Sequence, residues 1–129
     1  MNMLVVIDTN ILVSALWSRS GAPARLLGRV ISGELIPCYD HRILTEYRNV
    51  LMRPKFKFSE AEVNSLLTWI TDIGQCVIPE MLRDRFVDES DKKFYEVAKF
   101  CDAKLITGNA KHFPKDEIVF TVSELLENF

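Results

Sequence analysis

Leu4-Val5-Val6-Ile7-Asp8-Thr9-Asn10 decides the fold. An uninterrupted apolar run, β-branched at Val5, Val6 and Ile7, predicts a short strand buried on both faces. A strand with one wet face would alternate instead. The acid that ends the run stands where a helical pattern begins, with apolar residues at Ile11, Leu12, Ala15 and Leu16. A carboxylate directly after a fully apolar strand is costly unless its charge is compensated. Asp is a good helix N-cap, yet either Asp8 or Asn10 would suffice for capping. The surplus polar group calls for another role.

Outward from this stretch, short apolar runs and helical patterns alternate. Pro23 opens a helix carrying Leu26, Leu27, Val30 and Ile31 that stops at Gly33. Leu35–Tyr39 reads as a strand whose Pro37 is tolerable only near an end or an edge. From Asp40 a helix runs to about Met52 with Ile43, Leu44, Tyr47, Val50 and Leu51 on one face, and Pro54 closes it. Ser59-Glu60-Ala61-Glu62 has the form of a capping box and opens a helix with Val63, Leu66, Leu67 and Ile70, ended by Gly74. Cys76-Val77-Ile78 is strand-like, and Glu80–Ser90 reads as an irregular surface loop. A helix follows from Asp91, with Phe94, Val97, Ala98 and Cys101 at helical spacing. Lys104–Thr107 and Ile118–Phe120 are the remaining strands, and Thr121-Val122-Ser123-Glu124 is a second capping box.

Buried-type strands alternating with helices predict a parallel sheet covered on both faces. The expectation is α/β: a three-layer α/β/α sandwich with a doubly wound, mostly parallel sheet of four to five strands. The chain has 129 residues, one domain's worth, so residues 1–129 are expected as a single domain. With 48% hydrophobic and 26% charged residues, and only five Gly and five Pro, collagen-like, low-complexity and disordered readings are excluded. Three widely spaced cysteines make neither a disulfide framework nor a zinc signature. With no membrane-length apolar run and no signal-peptide pattern at the start, a cytoplasmic protein with no membrane partner is expected. Sixteen Lys and Arg against 18 Asp and Glu speak, as a sum, against a nucleic-acid partner.

In open parallel sheets, ligands bind beyond the carboxyl ends of the strands. Asp8-Thr9-Asn10 follows the first strand, Gly108-Asn109 follows the fourth, and Asp88-Glu89-Ser90-Asp91 opens a helix. These segments converge if strands one and four are neighbours. Three acids in four residues repel one another, which either a bound cation or solvation relieves. Glu46 flanks the apolar stripe of its helix; from pattern alone it is a surface residue, paired at most with Arg42. Carboxylate clusters without His or Cys suit Mg²⁺ or Mn²⁺, and such ions serve in-line attack on phosphodiesters. The lone His112 reads as a loop hydrogen-bonder. No nucleophile elbow, P-loop or dinucleotide fingerprint is present. A haloacid-dehalogenase-type phosphatase wants a second Asp where Asn10 stands, and a receiver domain wants adjacent acids.

Val5–Ala15, Ile43–Leu51, Asp88–Phe94 with Val97-Ala98, and Leu105–Asn109 together resemble the PIN-domain ribonucleases of the VapC-like type, toxins of toxin–antitoxin pairs. The resemblance implies a Mg²⁺- or Mn²⁺-dependent endoribonuclease that acts on RNA, forms a homodimer and is occluded by an antitoxin. It implies Asp8, Glu46 and Asp91 as catalytic metal ligands, with Asp88 as an auxiliary ligand or water-orienting group and Asn10 in a supporting place. Asn109 departs from the family pattern, in which a fourth acid usually follows Thr-Gly. It can ligate through its amide oxygen but brings no charge, which implies one tight and one weak metal. The alternative is a non-catalytic PIN fold that binds RNA or protein. Arg19, Arg53, Lys55, Lys57 and Lys111 are candidates for steering RNA, with a solvated basic surface as the plainer reading. Lys92 and Lys93 are candidates to offset the neighbouring acids. Removing Asp8, Glu46, Asp88 and Asp91 from the count leaves a slightly basic surface, so the charge sum depends on metal occupancy.

Overall fold

A computed structural model describes residues 2–129. The first strand, β1 (Met3–Ile7), is central, and Val5, Val6 and Ile7 are buried, as an uninterrupted apolar run requires. Helices α1 (Thr9–Trp17) and α2 (Ala22–Ile31) lead to β2 (Leu35–Tyr39). Helices α3 (His41–Leu51) and α4 (Glu60–Ile73) lead to β3 (Gln75–Cys76). After an irregular segment come α5 (Lys92–Cys101), β4 (Lys104–Ile106), β5 (Val119–Phe120) and α6 (Val122–Asn128).

The sheet has the order β3-β2-β1-β4-β5, and every pairing is parallel. The chain moves from β1 towards β3 in one direction and from β4 towards β5 in the other. Right-handed crossovers therefore put the two sets of connecting helices on opposite faces, and α5 packs across β1, β2 and β4. This is the expected doubly wound sandwich. Strands β1 and β4 are neighbours, with Ile7 opposite Ile106, so the strand order reverses between them.

Several local expectations change. Pro37 lies mid-strand in an interior strand, yet β3 pairs only from Cys38 onward, so Pro37 has no strand partner on that side. The third strand is Gln75–Cys76 instead of Cys76–Ile78. Val77 still donates to the Tyr39 carbonyl at 2.9 Å, but Ile78 is 92% exposed. Ser59 caps α4 through the Glu62 N–H, but Glu62 does not close the box, because its carboxylate is held by Arg19. The Thr121–Glu124 box is complete in both directions. The irregular segment before α5 is anchored: Leu82 donates its N–H to the buried Glu96 at 2.6 Å, and Phe86 packs on Tyr95 and Phe113.

Gly74 joins α4 to β3 where two backbones nearly touch. A Cβ there would lie 2.4 Å from the Ile70 carbonyl oxygen and 2.6 Å from that of Pro37. Neither backbone can yield cheaply. Gly74→Ala is expected to cost about 1–3 kcal/mol, the usual range for forced backbone shifts, read as a lower urea midpoint at unchanged slope.

Candidate functional site

Asp8 stands at the carboxyl end of β1, where the strand order reverses, and is 5% exposed. It occupies the N-cap position of α1 without a side-chain capping hydrogen bond. Its Oδ2 instead accepts from the hydroxyl of Thr107 at 2.7 Å, and its N–H donates to the Ile106 carbonyl at 2.9 Å. The side chain is thus turned across the sheet, towards the end of β4. Burial pushes the Asp8 carboxyl above its ordinary range. The Thr107 hydroxyl opposes this, the charges of Asp91 and Glu46 add to it, and the nearby Asn10 amide pulls it back slightly.

Glu46 reaches the same region from α3. Its Oε2 accepts from the Thr9 hydroxyl at 2.5 Å, and its Oε1 pairs with the Lys93 ammonium at 2.7 Å. The partner is not Arg42, which bridges Asp40 and Glu96 at 2.7 and 2.9 Å. The reason is geometric: Asp40 caps α3 by accepting from Ile43 N–H at 2.9 Å, so Arg42 finds two acids on its own side. Beside Glu46, the buried Tyr47 donates its hydroxyl to the Ile7 carbonyl at 2.5 Å. That bond fixes α3 against the end of β1 and so sets the position of Glu46.

Asp91 is half-buried at the start of α5. Burial and then the Asp88 charge push its carboxyl up, while His112 and Lys93 pull it down. The Nδ1 of His112 is 3.4 Å from its Oδ2. Asp88 is exposed. Its Oδ1 accepts from both the N–H and the hydroxyl of Ser90, which holds its carboxyl below the usual range. The acids of the Asp88–Asp91 segment are therefore spread, with Glu89 turned back to the Phe86 N–H at 3.2 Å. Asn10 and Asn109 are exposed, and the Asn109 N–H donates to the Thr107 hydroxyl at 3.0 Å.

Asp8, Glu46 and Asp91 are thus close enough for the latter two to act on the Asp8 carboxyl. They do not stand as a closed cluster: among the described residues no three His, Cys, Asp or Glu side chains are arranged to share an ion. Thr9, Tyr47 and Thr107 are functional neighbours that sequence reasoning passed over as strand, stripe or string. Their signal was position, since each flanks an acid or a strand end. A cavity of about 700 Å³ opens at the amino ends of β1, β2 and β4, beside Leu4, Arg29, Glu34 and Phe129, at the opposite end of the strands from these acids.

A doubly wound parallel sheet with carboxylates drawn towards its switch point defines an α/β domain with an acidic crevice. The chain belongs to the PIN-domain family, whose model matches residues 4–111. It is also similar to an uncharacterized protein of Methanocaldococcus jannaschii, 30% identical over 108 residues, covering 81% of this chain and 70% of the relative. The PIN domain is a nuclease-type fold, typically that of a metal-dependent ribonuclease, and PIN domains generally use divalent ions. No helix among the described residues is long and apolar enough to cross a membrane.

Because Asp8 is buried with its carboxyl raised, its charge costs stability at neutral pH when no cation is present. Asp8→Asn keeps an acceptor for Thr107 and removes that charge, so in chelator it is expected to raise the melting temperature. The sign follows from linkage: the gain is absent below about pH 3.8, the unfolded value, grows as pH rises, and is complete above the folded value. Melting curves across pH check this; a variant less stable than wild type at pH 7 contradicts it.

Proposed function

We propose that residues 1–129 form a single PIN-like nuclease domain that hydrolyses RNA phosphodiester bonds with Mg²⁺ or Mn²⁺. In the cell, on this reading, it is the toxin of a toxin–antitoxin pair, a cytoplasmic homodimer silenced by its antitoxin. The observation that carries the enzymatic reading is Asp8, a buried carboxylate at the switch point whose pKa is raised by burial and by two further acids. A charge kept there at such cost calls for a cation. The donor set consists of carboxylate oxygens, the chemistry hard divalent ions take, so the residues fit the group. Asp8, Glu46 and Asp91 would hold it. Asp88, whose Oδ1 is taken by Ser90, adds Oδ2, while Asn109 and Asn10 are auxiliary.

When bound, the divalent ion supplies an activated water and shields the leaving oxygen. The chain's own residues do the positioning. Thr107 orients Asp8 through Oδ2, and Thr9 and Tyr47 hold Glu46 against the end of β1. Lys93 presents a cation beside Glu46, which would be free to meet a phosphate if Glu46 held the ion. His112, when protonated, balances Asp91 through Nδ1.

The test is cleavage of an RNA panel by purified protein in Mg²⁺ or Mn²⁺ against chelator. Asp8→Asn and Asp91→Asn are expected to lower the rate by roughly two orders of magnitude or more, given several kcal/mol of metal stabilisation. Cleavage untouched by both substitutions would mean a contaminant and end the assignment. Expression of the wild-type chain alone is expected to arrest growth and that of Asp8→Asn to permit it, which tests the toxin role separately. Calorimetric titration is expected to find one tight ion, because Asn109 brings no charge, and Asn109→Asp is expected to tighten a second. Two equally tight ions in the wild type contradict this.

A second reading, a non-catalytic PIN fold that binds RNA or protein, is favoured by the Lys93–Glu46 pair, which neutralises one acid internally. RNA binding without cleavage in either metal would support it.

A further inference from the structure

Between α3 and α4 the chain reads Arg53-Pro54-Lys55-Phe56-Lys57-Phe58, basic and aromatic residues in alternation. Pro54–Phe56 forms one 3-10 turn, and Lys57 follows with φ 58° and ψ 26°, in the left-handed region. A residue with a Cβ is strained there, and Gly or Asn is the usual occupant. A lysine gives the backbone no advantage at this point. The kink turns the rings of Phe56 and Phe58 onto one another, with centroids 5.6 Å apart and planes 15° from parallel. Trp17, at the end of α1, meets both edge-on at 6.0 and 6.1 Å.

This aromatic trio lies at the margin of the core: Phe56 and Phe58 are half-buried, and Phe58 packs against core residues. Trp17 is 63% exposed, and a shallow cavity of about 420 Å³ opens between Trp17, Phe56, Val13 and Ser14. The Lys55 ammonium is 5.1 Å from the Phe56 ring centre. Arg53, Lys55 and Lys57 are exposed and make no ion pair among the described residues. Arg53 also closes one end of a groove along α3 whose other end is lined by His41 and Arg42, with Thr45, Glu46, Asn49 and Val50 between and Lys93 beside them. Seven residues separate Glu46 from Arg53, about 10 Å at the helical rise. The groove thus passes Glu46 and ends at Arg53, the residue that opens the segment bearing Phe56 and Phe58.

An exposed tryptophan beside two half-buried phenylalanines, among cations without ion pairs, matches the two faces of a single-stranded nucleic acid: bases stack on the rings and phosphates meet the ammonium and guanidinium groups. A protein partner fits less well, since lysine is depleted from the cores of protein interfaces. We propose that Trp17, Phe56 and Phe58 form a stacking platform for unpaired bases of an RNA strand lying along the α3 groove, with Arg53, Lys55 and Lys57 on its phosphates. This rests on the ribonuclease reading and adds to it a base-stacking subsite away from the acids.

The test uses the full chain carrying Trp69→Phe, which leaves Trp17 as the sole tryptophan, with Asp8→Asn to stop cleavage. Oligouridylate and oligoadenylate at low salt are expected to quench Trp17 fluorescence, and a blunt RNA duplex is not. With labelled RNA, Trp17→Ala and Phe56→Ala are expected to weaken binding about tenfold each, at melting temperatures close to the parent. Lys57→Gly separates structure from function: it relieves the backbone and raises stability, yet weakens RNA binding severalfold. In the cleaving protein, Trp17→Ala is expected to raise KM and leave kcat nearly unchanged.

Unchanged fluorescence with bound oligonucleotide overturns the platform, and Asp8-dependent cleavage persisting beside it leaves the ribonuclease reading standing. Absence of binding in the parent chain together with absence of cleavage by the wild-type chain overturns both. If Trp17→Ala leaves RNA binding intact but turns a dimer into a monomer in sedimentation, the surface serves a second copy of the chain and the proposal fails. If Trp17→Ala or Phe56→Ala misfolds, the quenching measured on the intact Trp17 decides.

Discussion

The hydrogen bond from Thr107 to Asp8 is the constraint on which the rest of the site depends. It joins the ends of two neighbouring parallel strands through residues 99 apart in sequence. Thr107 is itself fully buried and accepts from the Asn109 N–H, so a short polar relay crosses the switch point. A buried carboxylate without a donor costs at least 1–3 kcal/mol, and more when charged. The relay therefore meets part of the desolvation cost of Asp8 and aims its carboxylate. Because the two partners come from opposite halves of the chain, the site exists only once β1 and β4 lie side by side.

Around that bond, two ion-pair systems differ in how their acids are held. Glu96 is almost wholly enclosed and binds both Arg42 and the Leu82 N–H. An enclosed carboxylate that lost either donor would be left unsatisfied, so Glu96 acts as a fixed clamp on the segment before α5. In the Lys93–Glu46 pair the acid lies nearer solvent, 28% exposed against 1% for Glu96. Pairs nearer solvent are worth about 0–1 kcal/mol, which a divalent ion can outbid. Beside the candidate site stands the exchangeable pair, and behind it the permanent one. A site that must admit a metal and a phosphate needs that arrangement.

The fold was legible because its signals are local and redundant. An apolar run such as Val5-Val6-Ile7 has one stable use, and the switch point follows once strands alternate with helices. Of the candidate site, Asp8 was legible, since a charge closing an apolar strand calls for a role, whereas Glu46 read from pattern alone as a surface residue and entered only through the family resemblance. Partners set by tertiary geometry were not legible. Nothing in the spacing of Arg42 and Glu46 tells that Asp40 and Glu96 capture the arginine. Nor does Ser59-x-x-Glu62 announce that Arg19 takes the glutamate away from its capping box. The stripe residue Tyr47 reads as apolar packing until its hydroxyl is seen on Ile7. In each case an equally good local partner loses to one brought near by the fold.

The charge balance follows the same logic. Sixteen bases against 18 acids is a sum over the molecule, whereas a ligand feels charges within a screening length of roughly 8–10 Å. Arg19 with Glu62, Arg29 with Glu34, and Lys99 with Asp116 cancel where they stand. What remains uneven is an acidic crevice around Asp8 and Asp91 and a basic stretch from Arg53 to Lys57. On the proposed reading, a phosphate chain drawn to the basic stretch is repelled from the crevice until a cation covers the acids. Metal and RNA would then bind cooperatively, and linkage requires each to raise the affinity of the other by the same factor. The unfavourable net charge is then a reason for the two to be coupled and no bar to RNA.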